Sequence, residues 1–135
     1  MQLASMTATV TNGGKRFQSH LVQEEKPTLL EDLTQSGISA DHLEVVREAM
    51  WRAINDPDAP ASKLRSEDVA IAGKTGTAQT GKVDRPFRAW FIGFAPYENP
   101  RLAICVFVEN GESGSRVAGP IAKTILTRWL ALLGE

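Results

Sequence analysis

Two apolar segments in the second half of the sequence constrain the fold more than any other feature. Residues 89–95 and 102–108 are each of strand length, and apolar side chains occupy successive positions in both. A strand of this kind is apolar on both faces, so it must be covered on both sides. The linker between them, residues 96–101, is short and contains Pro96 and Pro100. These features predict an antiparallel hairpin in a sheet with helices on both faces.

An amphipathic helix is predicted over residues 39–55. Ser39 or Asp41 can cap its N-terminus, and apolar side chains recur at the three- and four-residue spacing of a buried helix face. They are Leu43, Val46, Ala49, Met50, Ala53 and Ile54. Pro57 follows shortly after Asn55 and ends the helix, because proline cannot continue one.

Helical patterns also occupy the two ends of the chain. Leu3, Met6 and Val10 fall on one face of a first helix, which glycines 13 and 14 end. A last helix is predicted over residues 116–133, with Pro120 tolerated in its first turn. Its two apolar rows are Val117, Ile121, Ile125 and Trp129, and Ala118, Ala122, Leu126 and Leu130. Gly134 is expected to be its C-terminal cap.

The remaining segments are assigned from alternation and turn residues. We expect a short strand over residues 16–23, a surface connection over residues 24–37, and a strand over residues 69–79. A loop over residues 80–88 and a turn rich in glycine and serine over residues 110–116 complete the chain. The predicted fold class is α+β, with an antiparallel sheet and one domain over residues 1–135.

Composition excludes several classes of function. The chain has 135 residues, of which 42% are hydrophobic, and a formal net charge of -1. The near-neutral charge argues against a nucleic acid partner or an anionic membrane surface. No apolar run is long enough to span a bilayer, and residues 1–10 lack the pattern of a secretory signal. Cys105 is expected to be a buried apolar residue, and His20 and His42 lack the neighbours of a metal site, so no metal or cofactor is expected.

The motif Lys74-Thr75-Gly76-Thr77 lies in the predicted strand 69–79 and carries the chemistry. Side chains alternate along a strand, so Lys74 and Gly76 are expected on one face and the two threonines on the other. Regular geometry would not direct all of them to one ligand. We therefore expect a twist or a bulge near Gly76.

These residue types suit the binding of a carboxylate at a strand edge. Lys74 supplies a positive charge or a proton relay, and the hydroxyls of Thr75 and Thr77 can donate to a carboxylate. Gly76 leaves room for a second backbone or a peptide-like ligand. A backbone N–H at the exposed edge can stabilise an oxyanion, an effect of about 3 kcal/mol per donor. The alternative is a polar strand end with no function, because a lone Lys-Thr-Gly is common.

The context of the motif supports function. Residues 71–79, followed by residues 89–96, closely resemble the transpeptidase domain of penicillin-binding proteins, in particular the class B enzymes of the elongation type. Lys-Thr-Gly belongs to the known motif set of these enzymes. Residues 2–14, 15–22, 45–56 and 117–133 resemble further segments of that domain, in the same order. The resemblance implies a serine β-lactamase/transpeptidase-like fold.

The resemblance also implies roles for the residues. The activity would be serine acyl transfer on the D-alanyl-D-alanine stem peptides of peptidoglycan, and β-lactams would be ligands. Lys74 would be the catalytic residue of this segment. Thr75, Gly76 and Thr77 would bind substrate, with the N–H of Thr77 as an oxyanion donor. Lys82, Arg85 and Arg88 would flank the cleft, although a solvated loop is the alternative. The family acts at the extracytoplasmic face of the cytoplasmic membrane, or in the periplasm.

Two family motifs are missing from the sequence. No serine is followed by lysine three residues later, and no Ser-x-Asn occurs. We therefore expect this chain to be the C-terminal portion of a transpeptidase domain, incomplete in fold and inactive alone. Its last strand would then have an open edge, filled by the N-terminal part of the domain or by self-association. Membrane attachment would come only through an N-terminal anchor that is absent here.

Two alternatives stay open at this point. The chain could be a non-catalytic module of the same fold that senses penicillin or peptide. It could also be a purely structural α+β domain with a chance motif. The glycines of residues 110–116 could bind phosphate, but they lack the Gly-x-x-x-x-Gly-Lys pattern, so we interpret them as a connecting turn.

Overall fold

The computed structural model describes residues 1–22, 25–81, 83 and 87–134. The helices are α1 (Gln2–Thr11), α2 (Ala40–Asn55) and α3 (Gly119–Leu133). The strands are β1 (Lys15–Phe17), β2 (Leu29–Asp32), β3 (Ala72–Gln79), β4 (Phe87–Ala95) and β5 (Leu102–Glu109). Short 3-10 helices occupy Leu33–Ser36 and Ser62–Leu64, and one π-helical turn, called the π-turn below, occupies Gly114–Ala118. Within the described ranges, no helix has the length and apolarity needed to cross a membrane.

The main sheet has the strand order β3-β4-β5, and both pairs are antiparallel. β4 and β5 pair in register from Arg88 opposite Glu109 to Ala95 opposite Leu102. This is the predicted hairpin. β1 and β2 form a separate two-stranded sheet.

Helices cover both faces of the main sheet, as predicted. On one face, which we call the α3 face, Ala89, Phe91 and Ala95 of β4 pack in a buried cluster with α3. On the other, the α2 face, Phe94 is fully buried and packs with Met50 of α2. α1 lies on the α2 face as well, where its first residues line a groove together with Trp90, Cys105 and Phe107. Cys105 is half-buried rather than fully buried, and this burial raises the pKa of its thiol.

Of the two apolar rows predicted on α3, one is fully buried, whereas only Val117 and Trp129 of the other pack partly buried against the core. Leu126 is completely buried and Leu130 is 2% exposed, together with Ala118 and Ala122 of the same row. Burial of a leucine side chain contributes about 2 kcal/mol. In the other row, Ile121 and Ile125 are 43% and 44% exposed. The row that contains Ala118 and Ala122 faces the sheet, because the small alanine side chains allow α3 to approach the sheet closely.

Ser39 caps α2, one of the two predicted possibilities. Its Oγ accepts the backbone N–H of His42 at 3.2 Å, and the His42 ring accepts the N–H of Ser39 at 3.3 Å. His42 therefore completes a reciprocal cap. Gly134 ends α3 in the left-handed conformation, as predicted.

The region before α2 differs from the prediction. The strand expected over residues 16–23 is β1 and ends at Phe17, and residues 29–32, expected in a surface connection, form its partner β2. All three residues of β1 are exposed. Because neither strand has a buried face, no apolar pattern set the register between them, and the sequence did not reveal this pairing.

The buried face of α1 also differs. Met6, predicted on the apolar face, is 46% exposed, whereas Thr7 and Thr9 are 1% and 4% exposed. Their hydroxyls donate to Leu3 O and Ser5 O, each at 2.8 Å. Because these bonds satisfy the hydroxyls within the helix, the threonines can be buried like small apolar residues.

Candidate functional site

β3 carries the Lys-Thr-Gly motif and is an edge strand. It pairs with β4 alone among the described strands, from Ala72 opposite Phe94 to Gln79 opposite Phe87. Along such a strand, every second residue directs its backbone N–H and C=O away from the partner. The open edge of β3 can therefore offer main-chain donors and acceptors to a ligand.

The motif side chains divide between the two faces as predicted. Lys74 and Gly76 lie opposite Ile92 and Trp90 on the α2 face, and the threonines lie on the α3 face. The pairing runs without a register shift from Ala72 to Gln79, so the bulge considered near Gly76 is not present. It is not needed, because a ligand placed along an open edge is accessible to side chains from both faces.

Lys74 is exposed on the α2 face of β3. Its Nζ donates to the carbonyl oxygen of Thr75 at 2.8 Å. In the part of the chain that the structure describes, no carboxylate lies within 4.0 Å of it. The ammonium is thus held over the strand by one neutral hydrogen bond and can attract an anion.

The two threonines differ in their surroundings. Thr75 is half-buried and Thr77 is exposed. The Oγ1 of Thr77 accepts the backbone N–H of Gly114 at 3.2 Å. A contact across 37 positions of sequence therefore connects the motif to the π-turn.

The π-turn is the part of the site that sequence analysis missed. We interpreted residues 110–116 as a connecting turn, yet Gly114 is buried against β3 and β4. A Cβ at Gly114 would lie 2.5 Å from Gly76 O, so the second backbone that approaches Gly76 is the chain's own. A signal existed, because glycine often marks the close approach of another backbone.

The loop residues predicted beside the cleft are only partly described. Lys82 and Arg85 lie outside the described residues. Arg88 is exposed and lies opposite Ala78 of β3 and Glu109 of β5. In the described ranges, His, Cys, Asp and Glu side chains form no group of three that could hold a metal ion.

The fold and the motif strand define the class of this chain. Its antiparallel sheet with helices on both faces is the predicted serine β-lactamase/transpeptidase-like α+β fold, in its C-terminal portion. A sequence profile described as "Penicillin binding protein transpeptidase domain" matches residues 1–127. The chain belongs to this family.

Three relatives illustrate the similarity. The peptidoglycan D,D-transpeptidase MrdA of Haemophilus influenzae is 28% identical over 153 residues, which cover 96% of this chain and 23% of MrdA. The solved complex of PBP2 with MreC from Helicobacter pylori matches with a TM-score of 0.79 and 31% identity, over 96% of this chain and 24% of PBP2. The imipenem acyl-enzyme of penicillin-binding protein A from M. tuberculosis matches with a TM-score of 0.76 and 29% identity, over 94% of this chain and 29% of that protein. The chain thus spans less than a third of the length of these proteins.

Proposed function

We propose that this chain, residues 1–135, is the C-terminal portion of a transpeptidase domain and supplies the Lys-Thr-Gly strand of a peptidoglycan D,D-transpeptidase. The observation that carries the proposal is an edge strand in this fold that presents two threonines and a lysine with no carboxylate within 4.0 Å among the described residues. The proposed reaction is serine acyl transfer on D-Ala-D-Ala stem peptides. The site would lie along the open edge of β3.

Each residue of the motif has a proposed role. Lys74 attracts the terminal carboxylate of the stem peptide and orients the groups that exchange protons at the serine. The hydroxyls of Thr75 and Thr77 donate to that carboxylate. The N–H of Thr77 stabilises the oxyanion that forms when the serine attacks the peptide carbonyl. Collapse of this intermediate releases D-alanine and leaves the acyl group on the serine.

The nucleophile itself must come from outside these residues. No serine of this chain has a lysine three residues later, so an activated hydroxyl of the family's type is not present. We infer that the chain is inactive alone. It contributes the carboxylate and oxyanion side of the site, and the other part of the domain contributes Ser-x-x-Lys and Ser-x-Asn.

Ligands, location and partners follow from the same proposal. A β-lactam carries a carboxylate and a reactive carbonyl, so it would occupy the same edge. The relative from M. tuberculosis was solved as an imipenem acyl-enzyme, and the Helicobacter pylori relative was solved with MreC. We place the parent protein at the extracytoplasmic face of the cytoplasmic membrane. We propose neither nucleic acid nor a cofactor.

Binding of a carboxylate at β3 tests the proposal. The isotopically labelled chain is titrated with N-acetyl-D-Ala-D-Ala and with its C-terminal amide, and the amide signals of residues 74–77 are followed by NMR. We expect the carboxylate to shift these signals and the amide to shift them less. Lys74→Met should weaken binding about tenfold, the effect of one hydrogen bond to a charged group. Lys15→Met, on exposed β1, is the matched control and should bind normally.

Mass spectrometry after incubation with benzylpenicillin tests whether the nucleophilic serine lies outside this chain. We expect no covalent adduct on the chain alone. An acyl adduct on one of its own serines would contradict the proposed absence of the nucleophile. Equal binding of the carboxylate and the amide would contradict the role of Lys74 and the threonines.

A second candidate function is a non-catalytic module that senses penicillin or peptide. The missing Ser-x-x-Lys favours it. The two candidates differ when the chain is mixed with the N-terminal part of the MrdA transpeptidase domain, which would supply the serine motifs. Restored acylation supports the enzyme, and reversible binding without an adduct supports the sensing module.

A further inference from the structure

The π-turn contacts the motif strand through Gly114, whose N–H donates to Thr77 Oγ1 at 3.2 Å. We propose that Gly114 is a positioning residue for Thr77: its N–H holds the Thr77 hydroxyl so that the hydroxyl proton is directed to a ligand carboxylate. The inference rests on the proposed function of β3. The π-turn thereby contributes to the selectivity of the site for ligands that accept a hydrogen bond over ligands that donate one.

The first argument is steric. Gly114 is buried, and a Cβ added there would lie 2.5 Å from Gly76 O and 2.6 Å from Trp90 O. Real Cβ atoms do not approach backbone oxygens so closely, and neither oxygen can move without disturbing the β3–β4 pairing. Only glycine therefore allows the N–H of residue 114 to reach Thr77 Oγ1 at 3.2 Å.

The second argument concerns the hydroxyl. A threonine hydroxyl has one donor and two acceptor sites. The N–H of Gly114 occupies an acceptor site of Thr77, so the O–H proton stays available on an otherwise exposed side chain. A carboxylate can accept that proton at either of its two oxygens, whereas a neutral amide replaces one of these acceptors with an N–H group, for which only the second acceptor site of Thr77 is left. The arrangement therefore favours an anionic acceptor.

The third argument is that backbone hydrogen bonds and packing on its α3 side hold the π-turn in place. The N–H of Gly119 donates to Gly114 O, and the N–H of Val117 donates to Ser113 O at 2.9 Å. Ala118 is completely buried at the end of the turn, and it joins the buried row of α3. The position of Gly114 is thus determined by the packing of α3 on the sheet rather than by the loop alone.

Two glycine variants separate positioning from stability. Gly114→Ala should displace the turn and release Thr77. Gly111→Ala is the matched control, because its Cβ would lie 2.6 Å from the Cβ of Ala89, the residue opposite Thr77, and so strains the same face of the sheet without adding a Cβ at Gly114. Three-bond couplings report the Thr77 χ1 rotamer without any ligand. We expect one rotamer in the wild type and in Gly111→Ala, and averaging in Gly114→Ala.

Binding is measured on the same samples with N-acetyl-D-Ala-D-Ala and its C-terminal amide. Gly114→Ala should bind the carboxylate about fivefold more weakly, the factor for one hydrogen bond, and should lose preference over the amide. Gly111→Ala should keep both. A folded Gly114→Ala chain with an unchanged rotamer and unchanged binding would overturn the inference. A wild-type chain with no preference for the carboxylate would instead contradict the proposed function of β3.

Hydrogen exchange at the Gly114 amide tests the same hydrogen bond without the glycine variants, so the test remains valid if those variants misfold. Thr77→Val removes the acceptor, so the Gly114 amide should exchange with deuterium about fivefold faster. Thr75→Val is the control and should leave that rate unchanged. Equal exchange in the wild type and Thr77→Val would show that the bond does not hold Gly114, and would overturn the inference.

Discussion

Tyr97 joins α2 to the turn between β4 and β5. Its hydroxyl donates to Glu44 Oε1 at 3.2 Å, and its ring lies 5.3 Å from the guanidinium carbon of Arg47. Arg47 in turn donates to Glu44 at 3.0 Å and to Tyr97 O at 2.7 Å. Burial and then the hydrogen bond to Glu44 raise the pKa of the Tyr97 phenol above 10.0. One ionisable side chain therefore connects a helix to the sheet.

This arrangement predicts a loss of stability in alkali. A raised pKa in the folded state means that the contribution of Tyr97 is complete below the unfolded pKa and is lost as the pH rises through the folded value. The melting temperature should fall more steeply above pH 10 in the wild type than in Tyr97→Phe. Tyr97 is the only tyrosine in the sequence, so its ionisation can be followed directly by ultraviolet absorbance. A titration at or below the ordinary tyrosine pKa would contradict the prediction.

The start of β3 depends on its connection to the end of α2. Asn55 Nδ2 donates to Ile71 O and to Trp51 O, each at 2.9 Å. On the other side of the same segment, the N–H of Tyr97 donates to Ala70 O at 2.8 Å. The residues directly before the motif strand are therefore fixed by a helix and by a turn. The start of β3 is thus held in position at two points, by α2 and by the turn between β4 and β5.

Removal of the Asn55 amide should loosen the start of β3. Asn55→Ala leaves Ile71 O without its side-chain donor and should lower the free energy of unfolding by about 1–2 kcal/mol. Urea denaturation followed by circular dichroism measures the change. Asn99→Ala, at an exposed position of the β4–β5 turn, should change stability by less than about 0.5 kcal/mol. Equal effects of the two substitutions would argue against a special role for Asn55.

At the scale of the molecule, the main sheet has a second open edge at β5. Among the described strands, β5 pairs with β4 alone. Phe107 on this strand is 45% exposed and its ring lies 4.3 Å from that of Trp90. An edge of unpaired backbone groups beside apolar side chains favours pairing with another strand. The polar residues of β3 make its own edge a poorer surface for such pairing.

We therefore expect the chain to self-associate as its concentration rises. Light scattering over a concentration series should show species larger than a monomer. Phe107→Lys places a charge on the β5 edge and should shift the chain toward the monomer. Val45→Lys, at a position of α2 that is 66% exposed, should leave association unchanged. A monomer at every concentration would contradict the prediction.

Much of this structure could be predicted from local patterns. The β4–β5 hairpin follows from two doubly apolar strands and a short turn, and α2 follows from its spacing and its Ser39 cap. Whether a helix row is buried was harder to predict, since Ile121 and Ala122 are adjacent and only Ala122 is inside. In the exposed β1–β2 pair, the alternation of residues 16–23 indicated a strand, but neither its bounds nor its partner β2.

The sequence by itself determined the motif, its alternation along a strand, and the family to which the chain belongs. These properties depend on residue type and on spacing within one segment. Only the tertiary structure decided that β3 is an edge strand and that the π-turn contacts it. The contact between Gly114 and Thr77 joins segments that are distant in sequence, and it forms because α3 packs closely on the sheet. The glycines at positions 76 and 114 permit such a contact, but they do not identify its partner, since the contact arises from packing between elements rather than from the preferences of either one.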